Sequence, residues 1–295
     1  MKEPTYGEVY REGTARLAEA GIAEAELDAR LLLEFVCGTD RNTLLAHGDR
    51  EVSAEEGERY RELIRRRASH VPLQHLTGEQ DFMGLTFLVN ENVLVPRQDT
   101  EVLVEEVMKH LHDGMRILDM CTGSGCILLS LLYYSNDCEG VGVDLSGQAL
   151  AVARENYERL LAGRPEMRAR FLEGDLFEAL ENGANGETDC PEGRFDFIVS
   201  NPPYIKTDVI DTLMPEVREH EPMMALNGGD DGLGFYRRIA GEAGARLNGG
   251  GMLFFEIGCE QADDVCHIME EFGFREIEVV KDFAGLDRVV YGSWF

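Results

Sequence analysis

Apolar residues recur at three- and four-residue spacing from residue 5 to about residue 67, which is the periodicity of amphipathic helices. Gly21 and Gly38 stand where two such helices would end, and Ser53-Ala54-Glu55-Glu56 has the pattern of a capping box that opens another. This part of the chain therefore predicts four or five short helices in a small bundle. Arg65-Arg66-Arg67 closes the last helix, and its charges favour a solvated helix end over a docking patch for an acidic partner.

A β-hairpin is predicted next, because the apolar runs 82–89 and 93–95 flank the turn Asn90-Glu91-Asn92. This hairpin would join the bundle to the rest of the chain. A further helix is predicted to follow, with Asp99 or Thr100 as its N-cap.

From residue 115 onward, short apolar runs alternate with helical patterns, as is typical of an α/β fold. The predicted strands cover residues 115–120, 140–144, 169–173, 195–199, 251–257, 275–280 and 288–292. Only a short turn, residues 282–287, separates the last two strands, so the final strand is expected to be antiparallel. We expect a seven-stranded Rossmann-like sheet. Residues 182–194 predict a surface loop, and residues 205–234 predict a long loop without regular structure that covers a ligand.

The charge balance is strongly acidic: 56 acidic and 28 basic residues among 295 give a formal net charge of -28. Such a balance argues against a broad phosphate-binding surface, so direct DNA binding is not expected. The seven cysteines form no CxxC pair, which favours reduced thiols over a disulfide or zinc framework. No signal-like segment and no apolar run of membrane-spanning length is present, so we expect a cytoplasmic protein with no membrane partner.

The most informative stretch is Asn201-Pro202-Pro203-Tyr204, directly after a predicted strand. The prolines end the strand because they lack the N–H that a sheet needs, and the carboxyl edge of such a sheet is where open α/β folds bind ligands. The Asn201 side-chain oxygen and the Pro202 carbonyl can accept both N–H bonds of a planar NH2 group, while the Tyr204 ring packs against its flat face. An ordinary Asn-Pro turn is the alternative, but four such residues after an apolar strand favour the functional interpretation.

A second motif, Cys121-Thr122-Gly123-Ser124-Gly125, links a predicted strand to a predicted helix. Glycines in such a loop permit close approach to a ligand, and the free amides of the helix N-terminus face that ligand. Asp144 ends the next strand, 19 residues after Gly125, at the spacing expected for binding ribose hydroxyls.

The acidic residues indicate which nucleotide-like ligand binds there. The loop lacks the third glycine of a dinucleotide fingerprint, and Asp119 precedes it, where a carboxylate repels a diphosphate but suits an amino group. S-adenosylmethionine has an amino group, a sulfonium and a ribose. Asp175, after the third strand, is well placed to accept the exocyclic amine of adenine. Any one of these acids could be a helix cap, but three acids after three successive strands favour an S-adenosylmethionine site.

With these motifs in this order, the catalytic part looks like a class I methyltransferase. The chain as a whole resembles the HemK/PrmC family, the N5-glutamine methyltransferases of peptide chain release factors. Asn-Pro-Pro-Tyr alone is shared with N6-adenine DNA methyltransferases, whereas residues 96–101 (PRQDTE) and 221–226 (EPMMAL) narrow the resemblance. On this basis we expect a helical substrate-recognition domain over residues 1–75, a hairpin linker over 76–96 and a catalytic domain over 97–295.

The resemblance also implies site residues. It implies contacts to the cofactor from Cys121, Thr122, Gly123, Ser124, Gly125, Asp144, Asp175, Leu176 and Asn201, and the charge argument above adds Asp119. Catalytic and substrate-binding contacts are expected from Asn201, Pro202, Pro203 and Tyr204, and no metal is expected. Three positions depart from the family pattern: Cys121 replaces a usual Gly, Leu176 a frequent aromatic residue, and Gln98 a common Pro. The departures at Cys121 and Leu176 concern the affinity for the cofactor.

The implied reaction is an SN2 transfer of methyl from S-adenosylmethionine to a glutamine side-chain nitrogen in the Gly-Gly-Gln loop of a release factor. The expected partner is thus a release factor, bound by a monomeric enzyme. Three alternatives remain: a glutamine methyltransferase of a ribosomal protein, an N6-adenine nucleic-acid methyltransferase, and a binding module without catalytic activity. An adenine methyltransferase should also carry a basic target-recognition region, which this sequence lacks.

Overall fold

A computed structural model describes residues 3–164, 166–181 and 194–295. The chain divides into two compact units, one of Met1–Glu79 with Met214–His220, the other of Gln80–Leu213 with Glu221–Phe295. The helices are α1 (Tyr6–Glu19), α2 (Ala25–Cys37), α3 (Arg41–Ala46), α4 (Ala54–Ala68), α5 (Leu73–Thr77), α6 (Gln98–His110), α7 (Cys126–Tyr133), α8 (Gly147–Leu161), α9 (Glu178–Glu181), α10 (Pro215–His220), α11 (Met223–Leu226), α12 (Gly234–Arg246) and α13 (Ala262–Glu271).

The strands alternate with these helices over most of the second unit. They are β1 (Glu79–Phe82), β2 (Leu85–Leu88), β3 (Arg116–Met120), β4 (Glu139–Asp144), β5 (Arg168–Glu173), β6 (Phe195–Ser200), β7 (Ile205–Lys206), β8 (Asn227–Gly229), β9 (Leu247–Glu256), β10 (Arg275–Lys281) and β11 (Asp287–Ser293). None of the helices in the described ranges has the length and apolarity that a membrane crossing requires.

The first unit is a helical bundle of α1 to α5 with α10 added to it. Thr5 and Ser53 form complete capping boxes with Glu8 and Glu56, so the predicted start of α4 is confirmed. Leu17, Leu32 and Leu33 are fully buried in its core. The four or five predicted helices are therefore confirmed. The prediction that Arg65, Arg66 and Arg67 form a solvated helix end is wrong for Arg67.

Arg67 is only 5% exposed. Its Nε atom lies 2.7 Å from Asp28 Oδ2 and its Nη2 atom 2.5 Å from Glu216 Oε1 on α10. Its Nη1 atom donates to the Val71 carbonyl at 3.3 Å. All three guanidinium nitrogens are thus bonded, and they tie a helix from residue 215 onward to a bundle formed by the first 79 residues.

The second unit is built on a seven-stranded sheet with the order β10-β11-β9-β6-β3-β4-β5. β5, β4, β3, β6 and β9 run parallel, and β11 pairs antiparallel with both β9 and β10. The sheet is covered on both faces, since neighbouring β3 residues Ile117 and Leu118 belong to different core clusters. The predicted α/β class, the seven strands and the antiparallel last strand are confirmed.

The predicted hairpin is present but lies earlier in the chain. β1 and β2 pair around Met83 and Gly84, which have φ values of 52° and 71°, while residues 93–95 form no strand. Two consecutive residues with positive φ are what a tight two-residue hairpin turn requires. The prediction was wrong because it took Gly84 as part of a strand rather than as the turn.

Two further predictions are corrected. The N-cap of α6 is Arg97, so Asp99 and Thr100 lie in its first turn and do not cap it. Residues 205–234 are not without regular structure, because they contain β7, a 3-10 turn at Ile210–Thr212, α10, α11 and β8. The predicted loop 182–194 lies outside the described residues except for Arg194.

Candidate functional site

A cavity of about 280 Å³ opens at the carboxyl edge of the sheet. The ends of β3, β4, β5 and β6 meet there because these strands are parallel. Within the second unit, its lining comes from residues 92–94, 96, 97, 100, 121–124, 126, 127, 143–146, 149, 174–176, 201, 203, 222, 224, 225, 227, 235 and 238. Most of the predicted site residues are therefore brought together around one cavity.

The Gly-containing loop lines part of the cavity. Gly123 and Gly125 have φ values of 55° and 79°, and a Cβ added at Gly123 meets nothing within 4 Å. A Cβ at Gly125 would lie 3.1 Å from Leu129 Cδ1 and 3.3 Å from Ala153 Cβ. The first glycine thus leaves the backbone open to a ligand, and the second allows the loop to pack on the helices behind it.

Cys121 also lies in the left-handed region, with φ 61°. A side chain in this conformation is strained, which explains why glycine suits the position. The thiol lines the cavity, and burial together with the neighbouring carboxylates of Asp144 and Asp119 raises its pKa, so it stays protonated. Cys121 is therefore an apolar wall and not a nucleophile.

Asp144 reaches back to the loop from the end of β4. Its Oδ2 atom accepts from the Gly123 backbone amide and its Oδ1 atom from the Ser146 amide, both at 2.9 Å. Burial raises the pKa of this carboxyl, while the two backbone bonds oppose the rise. Each oxygen keeps a second lone pair, so the carboxylate can also accept two vicinal hydroxyls. The adjacent Leu145 lines the cavity with a side chain that is 58% exposed.

Asp175 and Leu176 lie in the cavity wall beyond β5. The Asp175 carboxylate forms an ion pair with Arg238 at 2.9 Å, and both side chains line the cavity. Leu176 is buried and has φ 52°. The predicted bond from adenine to Asp175 would therefore share the carboxylate with an arginine.

Asp119 is fully buried beneath the loop and is not one of the residues that line the cavity. Its Oδ2 atom accepts from the Thr122 hydroxyl at 2.6 Å, and its Oδ1 atom has no hydrogen-bond partner among the described residues. Burial raises its pKa to about 7. Its predicted contact to an amino group stays a prediction.

The Asn-Pro-Pro-Tyr corner contributes two residues to the cavity wall. Asn201 and Pro203 line it, and the Asn201 Nδ2 atom donates to the Thr100 hydroxyl at 3.3 Å. Pro202 is buried, and Tyr204 packs against the core with its carbonyl accepting from Gln261 at 3.2 Å. Neither of these two lines the cavity, so the predicted Pro202 and Tyr204 contacts remain untested.

Glycine is required where the chain returns to this corner. A Cβ at Gly228 in β8 would lie 2.7 Å from Tyr204 Cα and 2.8 Å from the Pro203 carbonyl oxygen. β8 pairs in parallel with β7, directly after Tyr204. The segment between β7 and β8 is thus fixed at both ends beside the corner.

An ion pair joins the two sequence runs that narrowed the family resemblance. The Arg97 Nη2 atom lies 2.7 Å from each carboxylate oxygen of Glu221, whose side chain is 1% exposed. Sequence reasoning noticed both runs but did not pair these residues. It also missed Thr100, Leu145 and Arg238, which line the cavity, because a single side chain carries no periodic signal.

Comparison with known proteins identifies the family that has this fold and these motifs. Residues 8–78 match the PrmC N-terminal domain, and residues 97–218 match the methyltransferase small domain. A 16S rRNA N2 G1207 methyltransferase from T. thermophilus, solved in complex with AdoMet and guanosine, shares the fold at TM-score 0.50 and 20% identity. The match covers 74% of this chain and 50% of that one.

Two relatives are similar to this chain over nearly the full length of both proteins. The release factor glutamine methyltransferase of Caulobacter vibrioides is 43% identical over 279 residues, and that of Geobacter sulfurreducens is 43% identical over 276. Each match covers 94% of this chain and 92% of the relative. The resemblance inferred from the motifs is confirmed, and the chain belongs to the release factor glutamine methyltransferase family.

Proposed function

We propose that this chain transfers a methyl group from S-adenosylmethionine to the side-chain nitrogen of the glutamine in the Gly-Gly-Gln loop of a peptide chain release factor. Family membership supports the reaction class and the acceptor protein. The observation that carries the proposal is the position of Asn201. Its amide lines the same cavity as the glycine loop and Asp144, so donor and acceptor sites are continuous.

The residues at the loop end fit S-adenosylmethionine. The open backbone at Gly123 accommodates its methionine part, the Asp144 carboxylate accepts its ribose hydroxyls, and the exposed Leu145 side chain packs against its adenine. Cys121, Thr122, Ser124, Asp175 and Leu176 complete these contacts. Gly125 does not line the cavity and packs the loop on the helices behind it, and Asp119 supports the loop through Thr122. When bound, the cofactor supplies an electrophilic methyl group on a sulfonium.

The corner residues hold the acceptor. Because Asn201 Nδ2 donates to Thr100, its Oδ1 atom is left to accept one N–H of the glutamine carboxamide. The Pro202 carbonyl accepts the second N–H, and the rigid Pro202-Pro203 backbone holds both acceptors in place. Two such bonds orient the nitrogen lone pair and favour its pyramidalisation as the new bond forms.

The proton balance needs no base before methyl transfer. The neutral amide nitrogen attacks through its lone pair, the carbon–sulfur bond breaks, and the methylated nitrogen then loses a proton to water. The catalytic task of the protein is therefore to orient the two reactants and exclude competing water, rather than to deprotonate the acceptor.

The proposal is tested by an assay with tritiated methyl groups that offers a release factor, ribosomal proteins and DNA side by side. Mass spectrometry then identifies the labelled residue. We expect label on the Gly-Gly-Gln glutamine alone. Label on a ribosomal-protein glutamine or on adenine would replace this proposal with one of its alternatives, and cofactor binding without any transfer would indicate a binding module.

A variant isolates the role of Asn201. We expect Asn201→Ala to lower turnover roughly 100- to 1,000-fold, because one of the two bonds that orient the acceptor is lost. Binding of S-adenosylmethionine, measured by calorimetry, should change little. Asn248→Ala is the matched control, since this amide donates to Asp196 at 2.7 Å and does not line the cavity. Near-normal turnover of Asn201→Ala would refute the proposed role.

The remaining expectations about this protein are part of the same proposal. We infer that it acts as a monomer in the cytoplasm, without binding DNA directly, and that the helical bundle recognises the release factor. Light scattering of the purified chain, alone and with a release factor, tests the first and last of these statements.

A further inference from the structure

The Asn201 amide has a buried carboxylate as its neighbour. β6 and β9 run in parallel with Ser200 opposite Phe255, so the next residues, Asn201 and Glu256, lie side by side at the ends of these strands. Glu256 is 2% exposed, and its Oε2 atom has no hydrogen-bond partner among the described residues. A buried carboxylate left incompletely bonded is costly, which suggests a purpose beyond packing.

Thr100 connects the two groups. It is 3% exposed in the first turn of α6, and its oxygen accepts from Asn201 Nδ2 at 3.3 Å. A hydroxyl has one proton, and the Glu256 carboxylate is the neighbouring group that can accept it. Burial raises the pKa of Glu256, whereas the hydroxyls of Thr100 and Tyr204 and the charge of Arg288 oppose the rise, and Asp99 adds to it.

The direction of these bonds decides which end of the Asn201 amide faces the acceptor. The oxygen and the NH2 group of a carboxamide are nearly equal in size, so packing alone does not distinguish them. A Thr100 hydroxyl that donates to a carboxylate has only lone pairs to offer Asn201. It therefore binds the NH2 end and leaves Oδ1, to which no described residue donates, for the substrate.

We propose that Thr100 and Glu256 are positioning residues that hold the Asn201 carboxamide with its oxygen toward the acceptor nitrogen. This inference rests on the proposed function, because an acceptor that donates N–H bonds needs an oxygen at this place. Thr100 and Glu256 touch neither reactant in this role and act through Asn201.

The first test is turnover. Thr100→Val, which is nearly isosteric, should lower kcat about 100-fold while the Kd for S-adenosylmethionine changes less than about twofold. Thr100→Ser keeps the hydroxyl and should restore most of the loss. Thr86→Val is the matched control, because it removes a hydroxyl that donates to Asp81 at 2.8 Å in the β1–β2 hairpin. A kcat of Thr100→Val within about threefold of the wild type would overturn the inference.

The second test asks whether the effect passes through Asn201. Glu256→Leu should lower kcat as Thr100→Val does, and neither substitution should lower it further in an Asn201→Ala background. Additive losses in that background would show that both residues act on stability or on another group. Thr100→Ala serves as the second variant if Thr100→Val does not fold, as judged by circular dichroism.

The third test needs no acceptor. In protein labelled with 15N-asparagine, the Asn201 side-chain NH2 signal is identified by its loss in Asn201→Ala, and its exchange with solvent should accelerate in Thr100→Val but not in Thr86→Val. Unchanged exchange would overturn the inference even if the enzyme is active. Failure of the wild type to methylate a release factor would refute the proposed function, whereas the exchange experiment still decides the role of Thr100.

Discussion

Two sets of buried charged groups, one in each unit of this chain, are bonded in opposite ways. In the helical unit, Arg67 and Asp28 are each 5% exposed, and every guanidinium nitrogen of Arg67 has a partner. In the sheet unit, Asp119 and Glu256 are 0% and 2% exposed, and each carboxylate keeps one oxygen without a partner among the described residues. All guanidinium nitrogens of the first set are therefore used within the fold. Each carboxylate of the second set keeps an oxygen that is able to accept a further hydrogen bond.

The difference separates structural from functional polar groups. A paired buried charge offsets part of its desolvation cost through its partners, and removal of one partner is strongly destabilising, so such a pair holds elements together. An incompletely paired carboxylate lowers stability and raises its own pKa, to about 7 for both Asp119 and Glu256. Both lie at the carboxyl ends of strands beside the cavity, where such a cost accompanies function.

The largest expected effect follows from breaking the paired charge. Arg67→Ala leaves the Asp28 carboxylate buried without its cation and should lower the free energy of unfolding by about 3–5 kcal/mol. Urea denaturation of the whole chain measures this loss. Arg65→Ala is the matched control, because Arg65 is largely exposed and its ion pair with Glu62 lies on the surface, so its effect should stay within about 0.5 kcal/mol. Equal effects of both substitutions would contradict the contrast between the units.

The next effect concerns the unpaired carboxylate. Glu256 has its pKa raised from 4.5 to about 7 in the folded chain, so the folded state binds the proton more tightly than the unfolded state. The stabilisation is present below about pH 4.5 and is lost as the pH rises to about 7. Relative to Glu256→Gln, which cannot titrate there, the wild type should lose on the order of 3 kcal/mol of unfolding free energy across this window.

Urea denaturation of both proteins without cofactor, at half-unit pH intervals from 4.5 to 8, checks this prediction. The two curves should diverge between pH 4.5 and 7 and run parallel above pH 8. Parallel curves throughout would show that the Glu256 carboxyl of the folded chain titrates like an exposed one. The contrast between Glu256 and the fully bonded Arg67 would then be supported only by their hydrogen-bond geometry.

The smallest effect tests strain rather than charge. Cys121 has φ 61°, so Cys121→Gly should raise the free energy of unfolding by about 0.5–1 kcal/mol, because relief of the left-handed conformation exceeds the entropy that glycine adds to the unfolded chain. Calorimetry should detect a rise in Tm of about 1–3 °C. Cys126→Gly is the control of opposite sign, since Cys126 begins α7 in a helical conformation and glycine there should cost about 1 kcal/mol.

Much of the fold was predictable because its signals are local. The seven strands lie within a few residues of their predicted positions, since an apolar run between turn residues specifies a buried strand. The hairpin was misplaced because residues 83–84 and 90–92 both contain residues that suit a turn, and the cap of α6 was misplaced because neighbouring residues can each serve as a cap. Only the backbone conformation of Met83 and Gly84 and the start of α6 at Gln98 distinguish these possibilities.

Some residues of the site were likewise predictable from the sequence, and others were not. Asn201, Pro203, Gly123, Asp144 and Asp175 were found from the sequence and do line one cavity, because residues that follow parallel strands meet at one edge of the sheet. Thr100 and Glu256 were not assigned to the site. One lies in a helix turn and the other at a strand end 156 positions later, and no pattern in the chain links them.

The sequence by itself determined the order of elements, the reaction class and the proline corner at the carboxyl edge of the sheet, because these depend on periodicity and on short runs of special residues. Only the tertiary structure decided which polar and charged side chains are paired. Arg67 bonds to Glu216 across 149 positions, and Asn201 bonds to Thr100 across 101. Hydrogen bonds form between groups that are close in space, and the distance along the chain does not enter their energy.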